Sequence, residues 1–313
     1  MPSPTDISLV IPVYNGAGVL PRALASVFAQ TTAPAEIIVV DDGSTDGTAE
    51  VALGFGDRVR VVQQPNAGVS AARNRGVAEC RFELLALLDA DDEWMPGFLK
   101  TIQRLVLSHQ DCGMYCTSCS RRFANGSEEP YLIRGLPTTA PNWTGIIPDY
   151  FRIAGMSDPP VHSSAVVIRQ ELLNAIGGFP VGVTIGEDLL TWARMAARWP
   201  VAYDAASLVR FWQPAGAEPG VVARPTRMPQ TPDEVGRALR DLLPVVPTSQ
   251  RRSLRAYIAL WHKMRASCYA RLGSPGPAIR ELGRAILVAR FSATFYLGIL
   301  RSTLKLLNSH HTE

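Results

Sequence analysis

At 313 residues, 47% hydrophobic and 19% charged, the chain is ordinary globular material with room for one large α/β domain plus an appendage, or for two domains. It is too apolar for a disordered chain. The formal net charge of +3 conceals an asymmetry: residues 251–313 carry eleven Lys and Arg against two Asp and Glu, leaving the body acidic and the tail basic, a split that points to an anionic partner such as membrane headgroups or nucleic acid.

The N-terminal stretch MPSPTDISLVIPVYNG lacks a basic segment followed by an apolar core and a small-residue cleavage site. No signal peptide is expected, and the chain is expected in the cytoplasm. ISLVIPV is a continuous apolar run with β-branched residues and predicts a strand, followed by helical spacing at Leu20, Leu24, Val27 and Phe28. The cycle repeats. EIIVV ends at Asp41 before a short helical candidate from Thr45; RVRVVQQ precedes GVSAARNRGVAEC; ELLALL precedes PGFLKTIQRLVLSHQ, with Pro96 placed for a first helical turn. Alternating strands and helices predict a Rossmann-like, mostly parallel sheet flanked by helices.

In such sheets ligands bind outside the carboxyl ends of the strands. There the sequence puts Tyr14 and Asn15, Asp41 and Asp42, Gln63 to Asn66, and the acids Asp89, Asp91 and Asp92. Like charges this close repel one another, so the last group is solvated, partly protonated, or facing a cation. The turn PVYNGAGVLPRA has no G-x-G-x-x-G, which argues against a dinucleotide-binding oxidoreductase, and a P-loop is missing as well.

Beyond residue 110 the rhythm loosens. GMYCTSCSRRF predicts a strand. Its cysteines Cys112, Cys116 and Cys119 match the C-x3-C-x2-C spacing of iron–sulfur enzymes, but Cys116 and Cys119 would face opposite sides of a strand, and the plain strand reading is preferred. A Gly/Pro/Asn-rich loop follows through Pro148. SSAVVIRQELLNAIGGF then reads as strand, short helix and Gly stop, and IGEDLLTWARMAARW as a helix with Leu189, Leu190, Ala193, Ala196 and Ala197 on its buried side. VAYD and SLVRFW predict two short strands. Residues 213–232 read as a Pro/Gly-rich linker. After it, Leu254, Tyr257, Ile258, Trp261, Met264, Cys268 and Leu272 keep helical spacing; a second helix carries Ile279, Leu282, Ile286 and Leu287, giving a helical hairpin with basic outer faces. AILVARFSATFYLGIL is broken by Arg290 and falls short of a membrane span, which leaves a surface-lying helix.

Six stretches in order, SLVIPVYNGAGVL, IIVVDDGSTDGT, NAGVSAARNRGV, LLALLDADDEWMPGFL, AIGGF and GEDLLTWARMA, resemble the inverting glycosyltransferases of family 2, which have the GT-A fold. The match covers residues 7–212. It implies a nucleotide-sugar-binding half over 1–110 and an acceptor-binding half over 111–212; the composition adds the linker 213–232 and a basic helical extension over 233–313. It further implies a nucleotide-sugar donor, a saccharide or glycolipid acceptor and a divalent metal, Mn²⁺ or Mg²⁺, to neutralise the pyrophosphate leaving group.

Residue by residue, Asp89-Ala90-Asp91 is similar to the family's D-x-D element, with Asp89 near the ribose, Asp91 on the metal and Asp92 as support. Pro12, Tyr14 and Asn15 would flank the base, Asp41 would accept its imide N–H with Asp42 beside it, and Arg73 and Asn74 would lie by the nucleotide. Asp42 and Asp46 equally suit turn and cap duty, and Arg73 and Asn74 an ion pair with the aspartates. Asp188 is expected as general base, with Glu187 assisting. Many relatives have an Arg and a His near the pyrophosphate; here LVRFWQPAG offers Arg210, Trp212 and Gln213, and His162 lies in a loop before SSAVVIR. The implied role is synthesis of a cell-surface polysaccharide or glycolipid, with the basic helices on the inner face of the cell membrane and no nucleic acid partner. A catalytically silent nucleotide-sugar-binding scaffold on the same fold is the alternative.

Overall fold

The computed structural model describes residues 3, 5–137, 143–219 and 227–289. The chain divides into two compact units, Met1–Gly220 and Val221–Glu313, the division falling within the expected linker.

The first unit opens with the expected alternation: β1 (Ile7–Val13), α1 (Leu20–Phe28), β2 (Glu36–Asp41), α2 (Thr48–Leu53), β3 (Arg60–Gln63), α3 (Val69–Glu79), β4 (Leu84–Leu87), a two-residue β5 (Glu93–Trp94) and α4 (Phe98–Ser108). Helix α4 starts at Phe98 with Gly97 as its N-cap. Pro96 therefore lies outside the helix, and its carbonyl accepts from the Thr31 N–H at 2.8 Å. Next come β6 (Met114–Arg122), β7 (Glu128–Pro130), β8 (Thr144–Ile146), α5 (Tyr150–Ala154), β9 (Val166–Arg169), α6 (Gln170–Ala175), α7 (Glu187–Ala196) and β10 (Val201–Trp212). The loop expected through Pro148 thus contains two short strands. VAYD and SLVRFW are one strand, interrupted only by register shifts between Asp204 and Val209.

Among the described residues the sheet has ten strands in the order β3-β2-β1-β4-β9-β6-β10-β5, with β7 on β6 and β8 on β10. Strands β3, β2, β1 and β4 run parallel; β9 runs antiparallel to both β4 and β6, and β6 runs parallel to β10. Strand parity sorts the faces. Leu9, Ile11 and Val13 of β1 share an apolar cluster with Leu20, Leu24 and Val27 of α1 and Phe98, Leu99 and Ile102 of α4, whereas Val10 points to α3. There a Cβ on Gly76 would stand 2.3 Å from Val10 Cγ1. Glycine is what lets α3 lie against β1, and this fixes the height of Arg73, one turn earlier.

On α7 the buried residues are Leu190, Thr191, Trp192, Ala193 and Met195. Leu189 and Ala196, expected inside, are only half-buried, because Trp192 packs edge-on against Phe179 and turns the helix toward it. Cys112 and Cys119 join the same apolar cluster as Tyr115, while Cys116, of opposite parity, is buried elsewhere. All three thiols are pushed up by burial. They behave as small apolar strand residues.

The second unit holds α8 (Glu234–Asp241), α9 (Arg251–Arg271) and α10 (Pro275–Ala289). The sequence pattern places the face of α9 correctly at Leu254, Tyr257, Ile258 and Trp261, which are buried, and misses elsewhere. Met264, Ile279 and Leu287 are exposed, and the α9–α10 contact is made by Ala259, Ala285 and Ala289, whose small side chains let the helices approach closely. Between them lie buried His262, Arg265 and Glu281. No helix of the described residues is long and apolar enough to cross a membrane; residues 290–300, the larger part of the segment expected to lie along a surface, are outside the described residues.

Replacing Gly76 with Ala forces α3 and β1 apart, and overpacking of this kind costs about 1–3 kcal/mol. The expected outcome is a lower urea midpoint with an unchanged slope; an unchanged midpoint would show that the contact is slack.

Candidate functional site

A cavity of about 470 Å³ opens at the carboxyl ends of β1, β2 and β4. Its walls include Pro12 at the end of β1 with Tyr14 and Asn15 after it, Asp42 after β2, Arg73 from α3, Asp89, Ala90 and Asp91 after β4, and Phe211 of β10. Eight of these are sequence-predicted site residues. Phe211 is not.

Each loop end is held by its own polar groups. Asn15 adopts a left-handed backbone (φ 50°), its Oδ1 accepting from the Thr45 N–H at 2.9 Å and its own N–H donating to Ser44 Oγ at 2.8 Å. Asp46 accepts from the N–H groups of Ala17 and Thr48, both at 3.1 Å, which is turn and cap duty. Asp41 is buried and accepts from the Ser44 N–H at 3.0 Å and Gln63 Nε2 at 3.3 Å. The Asp42 carboxylate takes three donors: Gln64 Nε2 at 2.6 Å, Ala67 N–H at 2.9 Å and Gly68 N–H at 2.8 Å. It both walls the cavity and ties down the loop leading into α3.

The three aspartates after β4 separate by environment. Asp89 Oδ1 accepts from Arg73 Nη2 at 2.8 Å; burial alone would raise its pKa, but the guanidinium outweighs burial and holds it below the usual carboxylate range. Asp92 is fully buried and accepts from Ser164 Oγ at 2.5 Å and from the Trp212 N–H at 3.2 Å. The same hydroxyl oxygen accepts from the Asp89 N–H at 3.1 Å, so Ser164 braces the loop from β9's side of the sheet. Burial, then Asp89, pushes Asp92 well up. Asp91 is exposed at the cavity, and Arg22 donates to its backbone carbonyl at 2.7 Å rather than to its carboxylate. Burial and the neighbouring Asp89 push the Asp91 carboxyl up.

Arg73 links this loop to α7. Its Nη1 lies 3.7 Å from Glu187 Oε1, and although burial works against its charge, Asp89, then Asp188 and Glu187, hold it protonated. Nε and Nη1 find no hydrogen-bond acceptor among the described residues. Burial and Asp188 push the Glu187 carboxyl up. Both acids sit in the first turn of α7, whose N-cap Gly186 has φ 83°. Asn74 is spent on the main chain of the GGF turn: its Nδ2 donates to the Phe179 carbonyl and its Oδ1 accepts from the Phe179 N–H, both at 2.8 Å. It does not line the cavity.

His162 accepts from the Ser164 N–H at 3.2 Å through Nδ1, and its ring lies 4.7 Å from Phe211. Burial lowers its pKa against the pull of Asp89 and Asp188. Arg210 and Trp212 lie on the other face of β10: Arg210 Nε pairs with Glu128 at 3.2 Å, and Trp212 is overlaid by the Arg22 guanidinium at 4.1 Å. Sequence reading passed over Phe211, Ser164 and Phe179. Strand parity was the available signal for Phe211, since on one continuous strand it must face opposite to Arg210 and Trp212.

The Asp91 carboxylate suits a hard cation held by one protein carboxylate and a ligand's phosphates. Among the described residues, three His, Cys, Asp or Glu ligand atoms lie within 4.8 Å of one another only in the helical unit, at Asp233, His262 and Glu281. There Arg265 Nε already stands 3.2 Å from Glu281 and 3.6 Å from Asp233, so the cation of that group is an arginine.

A parallel sheet whose strand ends gather carboxylates around a cavity of about 470 Å³, followed by antiparallel strands and an acid-led helix, is a GT-A fold. Residues 8–177 match the model of glycosyl transferase family 2, and the chain belongs to that family. It is 32% identical over 160 residues to the uncharacterized glycosyltransferase YibD of Escherichia coli, covering 49% of this chain and 45% of that protein. To the succinoglycan biosynthesis protein ExoU of Rhizobium meliloti it is 44% identical over 101 residues, 31% of this chain and 29% of that one. The matches thus span less than half the length of these relatives. The crystal structure of Staphylococcus aureus TarS 1-349 with UDP-GlcNAc superposes with a TM-score of 0.64 at 19% identity, over 91% of this chain and 81% of that one.

Arg73→Met leaves Asp89 and Glu187 without their shared cation. Removing one partner of a buried ion pair costs roughly 3–5 kcal/mol. Guanidinium chloride unfolding is expected to register a loss of that size, and a change below about 1 kcal/mol would mean that solvent already screens the cluster.

Proposed function

We propose that the chain is a metal-dependent inverting glycosyltransferase that moves a sugar from a UDP-sugar to a hydroxyl of a saccharide or glycolipid acceptor. The observation that carries this reading is the cavity in which one buried guanidinium, Arg73, stands between the Asp89 loop and the Glu187–Asp188 turn. The TarS structure holding UDP-GlcNAc supports the donor class. ExoU, a succinoglycan biosynthesis protein, supports a role in surface polysaccharide synthesis.

In this reading Tyr14, more than half exposed at the cavity, flanks the base together with Pro12 and Asn15. Asp89 faces the ribose. The unsatisfied Nε and Nη1 of Arg73 are donors available to the donor's phosphates or to the reacting sugar. Asp91 is the residue that would hold Mn²⁺ or Mg²⁺, which when bound neutralises charge growing on the pyrophosphate. Asp188 takes the proton from the acceptor hydroxyl as it attacks the anomeric carbon from the face opposite the leaving group, and Glu187 assists by holding Arg73 in place. Phe211 walls the cavity with the His162 ring packed 4.7 Å from it, and in this reading the acceptor enters past them.

Asp188→Asn is expected to keep the Mn²⁺-dependent thermal shift given by a UDP-sugar while lowering transfer by about 10²–10⁴-fold. Asp91→Ala is expected to lose the metal-dependent part of the shift. Wild-type binding without turnover on any acceptor would favour the silent scaffold instead.

The basic excess of residues 251–313 supports a place on the cytoplasmic face of an anionic membrane. The full chain should sediment with phosphatidylglycerol vesicles at low salt and be released at high salt; equal partition onto neutral vesicles would sink this placement.

A further inference from the structure

The helical unit contains a cavity of its own, about 580 Å³, with the carboxylates Asp233 and Glu234 and the guanidiniums Arg237, Arg240 and Arg284 in its walls. The charges around it do not balance. Asp233 and Glu281 share Arg265, Glu281 also takes Arg284 at 2.8 Å, and Arg237 pairs with Glu234 on its own helix. Four guanidiniums, counting Arg240, therefore meet three carboxylates.

The surplus falls on Arg240. Among the described residues no carboxylate comes within 4.0 Å of it, and its Nη1 donates instead to His262 Nε2 at 3.4 Å. The imidazole is set for this by Glu281, whose Oε2 lies 2.7 Å from His262 Nδ1. A carboxylate accepts, so Nδ1 carries the proton and Nε2 presents its lone pair to Arg240. Asp233, the α8 N-cap, is fixed in turn by the Gly236 N–H at 2.9 Å and by Trp261 Nε1 at 3.0 Å. A buried network thus orients one unneutralised guanidinium at a cavity whose two other arginines each pair with one carboxylate.

We propose that this cavity binds a phosphate group, with Arg240 as its principal ligand and Arg237 and Arg284 completing the cradle. Guanidinium offers paired N–H donors that match phosphate oxygens, and the ligand class is accordingly a phosphate monoester or a diphosphate, free in solution or carried as a lipid headgroup. The site is independent of the donor cavity and of the activity proposed for it.

The test is calorimetric titration of the full chain with inorganic phosphate and with pyrophosphate, against chloride at matched ionic strength and without divalent metal. Saturable binding is expected, weakened roughly tenfold or more in Arg240→Gln and unchanged in Asp91→Ala. Arg240 is exposed, so the glutamine variant should fold; Arg284→Gln, also at an exposed position, serves as the second variant and should weaken binding as well. Vesicles containing phosphatidic acid, compared with phosphatidylglycerol at equal charge, separate the sources. A preference for the monoester lipid that Arg240→Gln abolishes assigns a headgroup, and saturation by soluble phosphate without that preference assigns a free phosphate compound. No binding above chloride in either arm, or binding indifferent to both substitutions, overturns the proposal.

Discussion

The cavity end of the first unit depends on one buried cation. Arg73 is 3% exposed, and three carboxylates act on it: Asp89 at 2.8 Å, Glu187 at 3.7 Å, and Asp188 through its field. Without a cation, the end of β4 and the start of α7 would repel each other across a region of low dielectric. The rest of α3 serves that placement. Gly76 lets the helix lie on β1, Asn74 clasps the backbone of Phe179, and the Phe179 ring lies 5.5 Å from the guanidinium it helps to cover. The sequence AARNRG is therefore a fastening between the β4 loop, the GGF turn and the start of α7.

That fastening gives three neighbouring aspartates different states. Asp89, paired, is held as a carboxylate. Asp92, braced by Ser164 in full burial, is pushed toward protonation. Asp91 has neither a buried brace nor a cation on its carboxylate, and it alone of the three is exposed at the cavity. Repulsion within the cluster is thus relieved unevenly by protein groups, and the share left over sits where a hard cation would be bound together with a ligand's phosphates.

Much of this was legible in the residues, and the reasons for the rest are physical. Strands β1 to β4 and their helices announce themselves because buried parallel strands are continuous apolar runs. Strands β7 and β8, three residues each, are too short to carry periodicity. The acids at the strand ends were legible as a group, but their division was not, since it depends on Ser164, 72 residues away from Asp92. Arg210 and Trp212 drew notice as polar and aromatic residues near the right place. The parity within SLVRFW, which sends Phe211 to the cavity and Arg210 to Glu128, was readable but outweighed by the polar and aromatic character of its neighbours.

The helical unit fails sequence reading for a different reason. An amphipathic pattern assumes that apolar side chains mark the buried face, yet Ile279 and Leu287 are exposed while Glu281, His262 and Arg265 are nearly closed to solvent. Where α9 meets α10 through Ala259, Ala285 and Ala289, alanine buries little area and adds only modest hydrophobic stabilisation; the larger apolar burial of the unit comes from residues such as Leu239, Leu254, Ile258 and Trp261. A buried ion network offsets little more, because desolvation consumes most of its Coulombic gain. What such a network does supply is direction: each guanidinium, imidazole and carboxylate has few arrangements that satisfy it, and together they fix α8, α9 and α10 in one register. The arrangement that pairs His262 with Glu281 is also the one that leaves Arg240 facing an imidazole rather than a carboxylate.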